Sequence, residues 1–294
     1  MSGAREGAIV GSERFTIGPA AADDISQMSG VIQRTGLSSG RPDLLSFNLA
    51  SPGTQMFVAS DGDRVVGVAC GVCFGRTGWV GNVAVEDDVR GQGLGRVLSQ
   101  AAVDFLREAG TQTVLLTATK LGQSIYERLG FTDEGVSYGV WERDAATEYA
   151  RDRSATARPA DIDDVLRQDI AATGEDRRSY LAPFADRARV PAGPGRAGTG
   201  GANTEQAGYW VGLPWGGGPI VAANPASARP LIVEMIQASP GSRLAFPEVN
   251  AHGAALAVSL GFHLARSVRR MRLGPPVAGY KPRTIYNVYS LGIG

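Results

Sequence analysis

Residues that could do chemistry are few in this chain: a glycine-punctuated turn, one well-placed tyrosine, a Cys-x-x-Cys pair and two histidines. The turn is the most informative. It reads Arg90-Gly91-Gln92-Gly93-Leu94-Gly95-Arg96, and it follows a run of small and β-branched residues (Val83, Ala84, Val85) that ends at Glu86. Beyond it, Leu94, Val97, Leu98, Ala101, Ala102, Phe105 and Ala109 recur at three- and four-residue spacing, an amphipathic helix closed by Gly110. Such a turn presents several backbone N–H groups at the positive end of a helix dipole, which is the chemistry of anion binding. Glycine at 93 and 95 would let a diphosphate approach the main chain; the other reading is an ordinary tight strand–helix connection. Two phosphate patterns are excluded by spacing. The third glycine comes one residue early for GxGxxG, and GxxxxGK[ST] is absent.

Cys70 and Cys73 lie inside VVGVACGVCF, a buried strand pattern, and not at a helix start where a thiol pKa would fall. They read as core thiols. His252 and His263 lie near an expected helix over 250–260 and read as structural, so no metal is expected.

The elements that must position the turn alternate along the first half. Strands are expected at 15–17, 55–60, 64–72, 79–86, 114–118 and 136–142, and helices at 23–34, 94–109 and 123–129, with Asp61-Gly62-Asp63 as a hairpin turn. That pattern is an α/β fold with a mixed (α+β) sheet. The 294 residues suggest two domains at roughly 150 residues each. A faint repeat agrees: IGPAAADDI (17–25) echoes ARPADIDDV (157–165), and YERLGF (126–131) echoes AVSLGF (257–262). Domains are therefore expected at 13–145 and 157–294, linked by the polar stretch 143–157, with a flexible loop over 190–208. Lysine plus arginine and aspartate plus glutamate each number 29, so the chain lacks the basic excess that nucleic acid requires. The longest uncharged window, 206–228, holds five glycines and three prolines, unlike a membrane span. No apolar signal core opens the sequence, so a soluble, cytoplasmic protein is expected.

The RGQGLG turn, preceded by the V-A-V strand and followed 30 residues on by IYERLGF, resembles the [QR]-x-x-G-x-[GA] loop of the GNAT superfamily of acetyl-CoA-dependent N-acetyltransferases. The resemblance spans residues 13–143. It implies that the amides of Arg90, Gly91, Gln92, Gly93, Leu94, Gly95 and Arg96 hold the pyrophosphate of acetyl-CoA. It further implies that the backbone of Val83, Ala84 and Val85 pairs with the pantetheine arm, and that an N–H near Val85 faces the oxyanion. An attacking amine must be neutral, whereas a lysine-like amine has a pKa of ~10.4, so a base or a desolvating site is needed. The departing thiolate, with an ordinary thiol pKa of roughly 8.5, benefits from a proton donor. Tyr126 matches the tyrosine of the family's Y-x-x-x-G-F element, which supplies that proton; packing beside Ile125 and Leu129 is its other reading. Glu86 is the first candidate base, against a solvated carboxylate leading an acidic turn with Asp87 and Asp88; a water chain is the alternative.

The second half departs from the motif. The repeat offset places Ala257 where Tyr126 would be, and Asn224 and Ala226 where Gly93 and Gly95 would be. Asn224-Pro225 would make a good helix start, so a scaffold without the cofactor turn is expected. RRMRLG (269–274) and TIYNVYSLGIG (284–294) resemble the C-terminal domain of a tandem-GNAT family of YitH type. The expected architecture is thus two tandem GNAT-like domains, the second degenerate. The expected function is transfer of acetyl from acetyl-CoA to a primary amine of a small molecule by direct attack. The alternative is a non-catalytic acyl-CoA-binding sensor or partner-binding module. Tyr209, Trp210 and Trp215, beside three consecutive glycines, are either domain core or part of an acceptor wall.

Overall fold

A computed structural model describes residues 9–10, 14–36, 40–144, 147, 156–192, 208–241 and 243–294. The expected link over 143–157 and the loop over 190–208 fall largely outside them. The chain forms two compact units: Met1–Glu134 with Met271–Pro276 and Gly292–Gly294, and Gly135–Arg270 with Val277–Leu291.

The first unit runs β1 (Ile9–Val10), β2 (Thr16–Pro19), α1 (Ile25–Arg34), α2 (Pro42–Ala50), β3 (Thr54–Asp61), β4 (Arg64–Phe74), β5 (Thr77–Val85), α3 (Leu94–Glu108), β6 (Thr113–Ala118) and α4 (Gln123–Arg128). Its strands lie in sequence order, antiparallel from β1 to β5 and parallel between β5 and β6. The β3–β4 hairpin turns where the Asp-Gly-Asp signal lies, with Gly62 at φ +59°. Helix α3 buries Leu94, Leu98, Ala101, Ala102 and Leu106. A Cβ added at Gly67 or Gly78 would come within 2.7 Å of Leu98 or Leu106, so bare strand backbone lets α3 lie close on that face of β4 and β5. Met271, 1% exposed, completes this core, and Thr113 Oγ1 donates to the Pro275 carbonyl at 2.8 Å. Helix α2 is absent from the sequence expectation. Its apolar residues are not segregated to one face, which removes the periodic signal; the remaining cue is Pro42 at the first helical turn after extended Arg41.

The second unit holds the rest of β7 (Thr132–Glu142), then β8 (Ala157–Pro159), α5 (Ile162–Thr173), α6 (Arg178–Leu181), β9 (Ala188–Pro191), β10 (Gly208–Val211), β11 (Ile220–Ala222), α7 (Pro225–Ala238), β12 (Leu244–Pro247), α8 (Ala251–Ser259), most of β13 (His263–Leu273) and β14 (Ile285–Asn287). Strands β14-β11-β10-β9-β8 form one antiparallel sheet, and β12 pairs antiparallel with β7. Helix α7 packs Leu231, Ile232 and Met235 into a core shared with Trp210, Phe246 and Tyr286. The expected helix over 250–260 is α8, and Asn224 caps α7 by accepting from the Ser227 N–H at 3.0 Å.

Candidate active site

Strands β5 and β6 run side by side only from Thr77↔Thr113 to Trp79↔Leu115. Beyond that point the rest of β5 and the end of β6 have no register with each other, which leaves a split in the sheet. Across its other edge β5 carries a bulge: Val68 faces Ala84 and Cys70 faces Gly81, so Asn82 and Val83 together oppose Ala69. Asn82 sits at φ +52°, the left-handed conformation that asparagine tolerates better than most residues. Bulges re-aim side chains and free backbone groups. Here the bulge takes Val83 out of register with β4, while Ala84 and Val85 stay in register with Val68 and Gly67; these are the three residues expected to pair with an extended arm.

The glycine turn closes the open end of the split. Gly91 and Gly93 stand at φ +79° and +83°, and Gly93 is the N-cap of α3 without any side-chain cap. The first bond back into the helix is Arg96 N–H to Gly93 O at 3.0 Å, so the amides of Leu94 and Gly95 precede the internal ladder. Glycine at 91 and 93 follows from the backbone angle. At 95 it does not. Gly95 has ordinary helical geometry, and a Cβ there would meet only Ile125 Cδ1 at 3.7 Å and Val85 at 3.9 Å, ordinary contacts. Glycine inside a helix costs about 1 kcal/mol against alanine, and the protein's own packing does not account for it here. Residues 90–96 thus fit a diphosphate on chemical grounds.

Three carboxylates precede the turn, and each has its own arginine. Glu86, with a side chain 7% exposed, accepts from Arg34 Nε at 2.9 and 3.2 Å and also from Arg34 Nη2. Asp87 pairs with Arg90 at 2.7 Å, while Arg90 Nε donates to Val85 O at 3.1 Å. Asp88 takes two bonds from Arg64, at 2.7 and 3.0 Å, which hold its carboxyl below the usual range. An anion would otherwise meet three negative charges here; the guanidinium groups offset them. Sequence inspection missed Arg34 and Arg64, which lie 52 and 24 residues from their partners.

Tyr126 lies on α4, 8% exposed, edge-on to Phe131 at 6.0 Å. Burial pushes its pKa up to about 12, opposed by a hydrogen bond with Ser99. Ser99 is buried on α3 and donates to Gly95 O at 2.7 Å, which ties the phenol to the glycine turn. This residue too was missed, because a serine within a helix carries no sequence signal of its own. Cys70 is buried, with its thiol pushed up to about 12, and Cys73 sits 3.5 Å from Thr111 Oγ1. His252 and His263 are exposed. Among the described residues, no group of three His, Cys, Asp or Glu side chains could hold a metal ion, and no helix is long and apolar enough to cross a membrane.

In the second unit, Tyr209 and Trp210 are interior residues, 0% and 6% exposed. Tyr209 donates to Asp169, which Arg177 grips through Nε at 3.1 Å and through Nη2. Trp215 stands edge-on to Phe184 at 5.5 Å.

A parted strand pair thus stands beside an uncapped, glycine-built helix start within a mixed sheet. Residues 52–133 match the acetyltransferase (GNAT) domain family. An acetyltransferase assigned in Pyrococcus horikoshii shares the fold over 96% of this chain and 97% of its own, with a TM-score of 0.78 at 21% identity. A tandem GNAT protein from the clavulanic acid biosynthesis pathway aligns over 89% of this chain and 99% of its own, with a TM-score of 0.56 at 16% identity. N-alpha-acetyltransferase 30 of Schizosaccharomyces pombe is 39% identical over 83 residues, 26% of this chain and 55% of that protein. Glucosamine 6-phosphate N-acetyltransferase 2, assigned in Oryza sativa subsp. japonica, is 33% identical over 67 residues, 23% and 40% of the two chains. The chain thus spans about half the length of the curated relatives it matches. Its fold is the expected α/β mixed-sheet, tandem-GNAT fold.

Proposed function

We propose that this chain is an acetyl-CoA-dependent N-acetyltransferase that moves acetyl to the primary amine of a small molecule by direct attack. The observation that carries the reading is Gly95, a bare helical position that the protein's own packing does not require, at the mouth of the β5–β6 split. The names of both curated relatives place acetyl on nitrogen, in keeping with an amine acceptor.

Acetyl-CoA supplies an activated thioester; residues 90–96 take its pyrophosphate, and the backbone of residues 83–85 takes the pantetheine arm. The amine nitrogen bonds to the carbonyl carbon while the C–S bond breaks, and a backbone N–H near Val85 meets the developing oxyanion. Tyr126 gives its proton to the leaving sulfur. Burial keeps the phenol protonated through the neutral range, so its proton is in place as the C–S bond breaks. Glu86 is the proposed acceptor of the amine proton. Arg34 fixes it, and a carboxylate has about four lone-pair positions, so the arginine does not exhaust it. The second unit binds no coenzyme. Asn224 already satisfies the α7 start that would correspond to Gly93, and Pro225 offers no N–H there.

The test is calorimetric titration of the intact chain with acetyl-CoA, followed by thiol release across a panel of small amines. Binding with amine-dependent thiol release is expected. Binding without release from any amine would replace the enzyme by an acyl-CoA sensor, and no binding would end the proposal.

A further inference from the structure

Gly292–Gly294 belongs to the first unit, where it lies on β5. A Cβ at Gly81 would stand 2.4 Å from the Gly292 carbonyl oxygen and 2.7 Å from its Cα. A Cβ at Gly294 would stand 2.4 Å from Trp79 Cζ2. The two backbones therefore touch with no side chain between them, and Ile293, 4% exposed, anchors the segment.

The place of this contact is specific. Trp79 is the last residue of β5 in register with β6, so the segment covers β5 at the apex of the split. Strand residues alternate between faces. Gly78 and Val80 face α3, since a Cβ on Gly78 would meet Leu106 and Val80 shares the α3 core. Trp79 and Gly81 face the opposite side, under residues 292–294. On the proposed function, the acyl arm runs from the turn at 90–96 past residues 85 to 83. The next backbone toward the apex is Asn82 and Gly81, where the thioester would come. Helix α3 fills one face there, so an amine must come from the other.

We propose that residues 292–294 form a backbone strap at the acceptor entrance, which admits amines carried on an unbranched carbon and excludes those branched beside the nitrogen. This rests on reading the split as the acetyl-CoA site. The strap acts by position, and none of its atoms takes part in the bond exchange.

The test compares butylamine with sec-butylamine as acceptors, read by thiol release from acetyl-CoA, in the intact chain, in Gly81→Ala and in a chain lacking residues 292–294. Gly81→Ala keeps the strap residues but forces them off β5. Both changes should raise the sec-butylamine rate relative to butylamine by about tenfold or more, the discrimination a single carbon commonly provides. An unchanged ratio in a folded Gly81→Ala protein would overturn the strap. If the intact chain acetylates neither amine, hydrogen exchange decides: acetyl-CoA binding should alter exchange at the amides of residues 292–294, and binding that leaves them unchanged also overturns it. Failure to bind acetyl-CoA at all would remove the proposed function itself, and the strap with it.

Discussion

Tyr126 keeps its proton because the folded chain offers its phenolate almost no water, and the Ser99 hydroxyl only partly offsets that loss. A phenol raised to about 12 stays protonated through the neutral and mildly alkaline range. Tyr126→Phe retains the ring and its edge contact with Phe131, so stability should change little while kcat falls about 10²-fold or more. Steady-state rates with an accepted amine check this; a parental kcat would assign Tyr126 to packing alone. Gly95 makes the sharper case, because fold and binding pull in opposite directions there. Gly95→Ala should stabilise α3 by about 0.5–1 kcal/mol in urea melts, since its Cβ finds only ordinary contacts. The same variant should lower acetyl-CoA affinity at least tenfold by calorimetry. Raised stability with unchanged affinity would show that the bare position serves no ligand.

At the scale of elements, both units use arginine–carboxylate pairs, but in different surroundings. Around the glycine turn, Arg34 and Arg64 bring α1 and β4 to the acidic residues between β5 and α3, and the arginine side chains are half exposed or more. Such pairs shape the local field and add little stability. In the second unit, Arg177 and Asp169 are 2% and 0% exposed, and the Tyr209 hydroxyl completes the group, which joins α5, the start of α6 and β10. Arg177→Ala would leave a buried carboxylate without its cation, so it should destabilise the chain by about 3–5 kcal/mol in denaturant unfolding. Tyr209→Phe, which removes one hydrogen bond, should cost about 1–2 kcal/mol. A cost below 1 kcal/mol for Arg177→Ala would mean that water reaches Asp169 in solution.

For the whole molecule, the first unit is not one stretch of chain. Met271 lies in its core, and Gly274 at φ +112° packs against the Gln112 carbonyl. A fragment of residues 1–150 therefore lacks residues 271–276 and 292–294 of this unit. It should lose roughly 2–3 kcal/mol from the missing methionine alone, on the transfer scale, and melt below the intact protein by circular dichroism. A fragment melt that matches the intact protein would show that residues 271–276 add nothing to the unit. In the intact chain, one acetyl-CoA should bind. The α3 start is uncapped and glycine-built, while the corresponding α7 start is capped by its own Asn224. A second equivalent in the titration would contradict this.

Local chemistry determined what was legible without coordinates. The period of α3, the Asp-Gly-Asp hairpin and the glycine turn are short-range signals, written within one or two helical turns, so their elements came out within a few residues of their observed bounds. Helix α2 escaped because its apolar residues surround it and leave no period to detect. The glycines at 91 and 93 could be read as turn formers, but only the packing shows that Gly95 owes nothing to the turn. Tertiary structure alone decided the rest. Parting of β5 from β6 after Trp79, Arg34 on Glu86, Ser99 on Tyr126, and Met271 in the first core all join residues that no local pattern connects. Residue type and spacing record what the backbone does over a few residues. Which distant side chain fills a given gap depends on how whole elements pack, and chain order carries no direct trace of that.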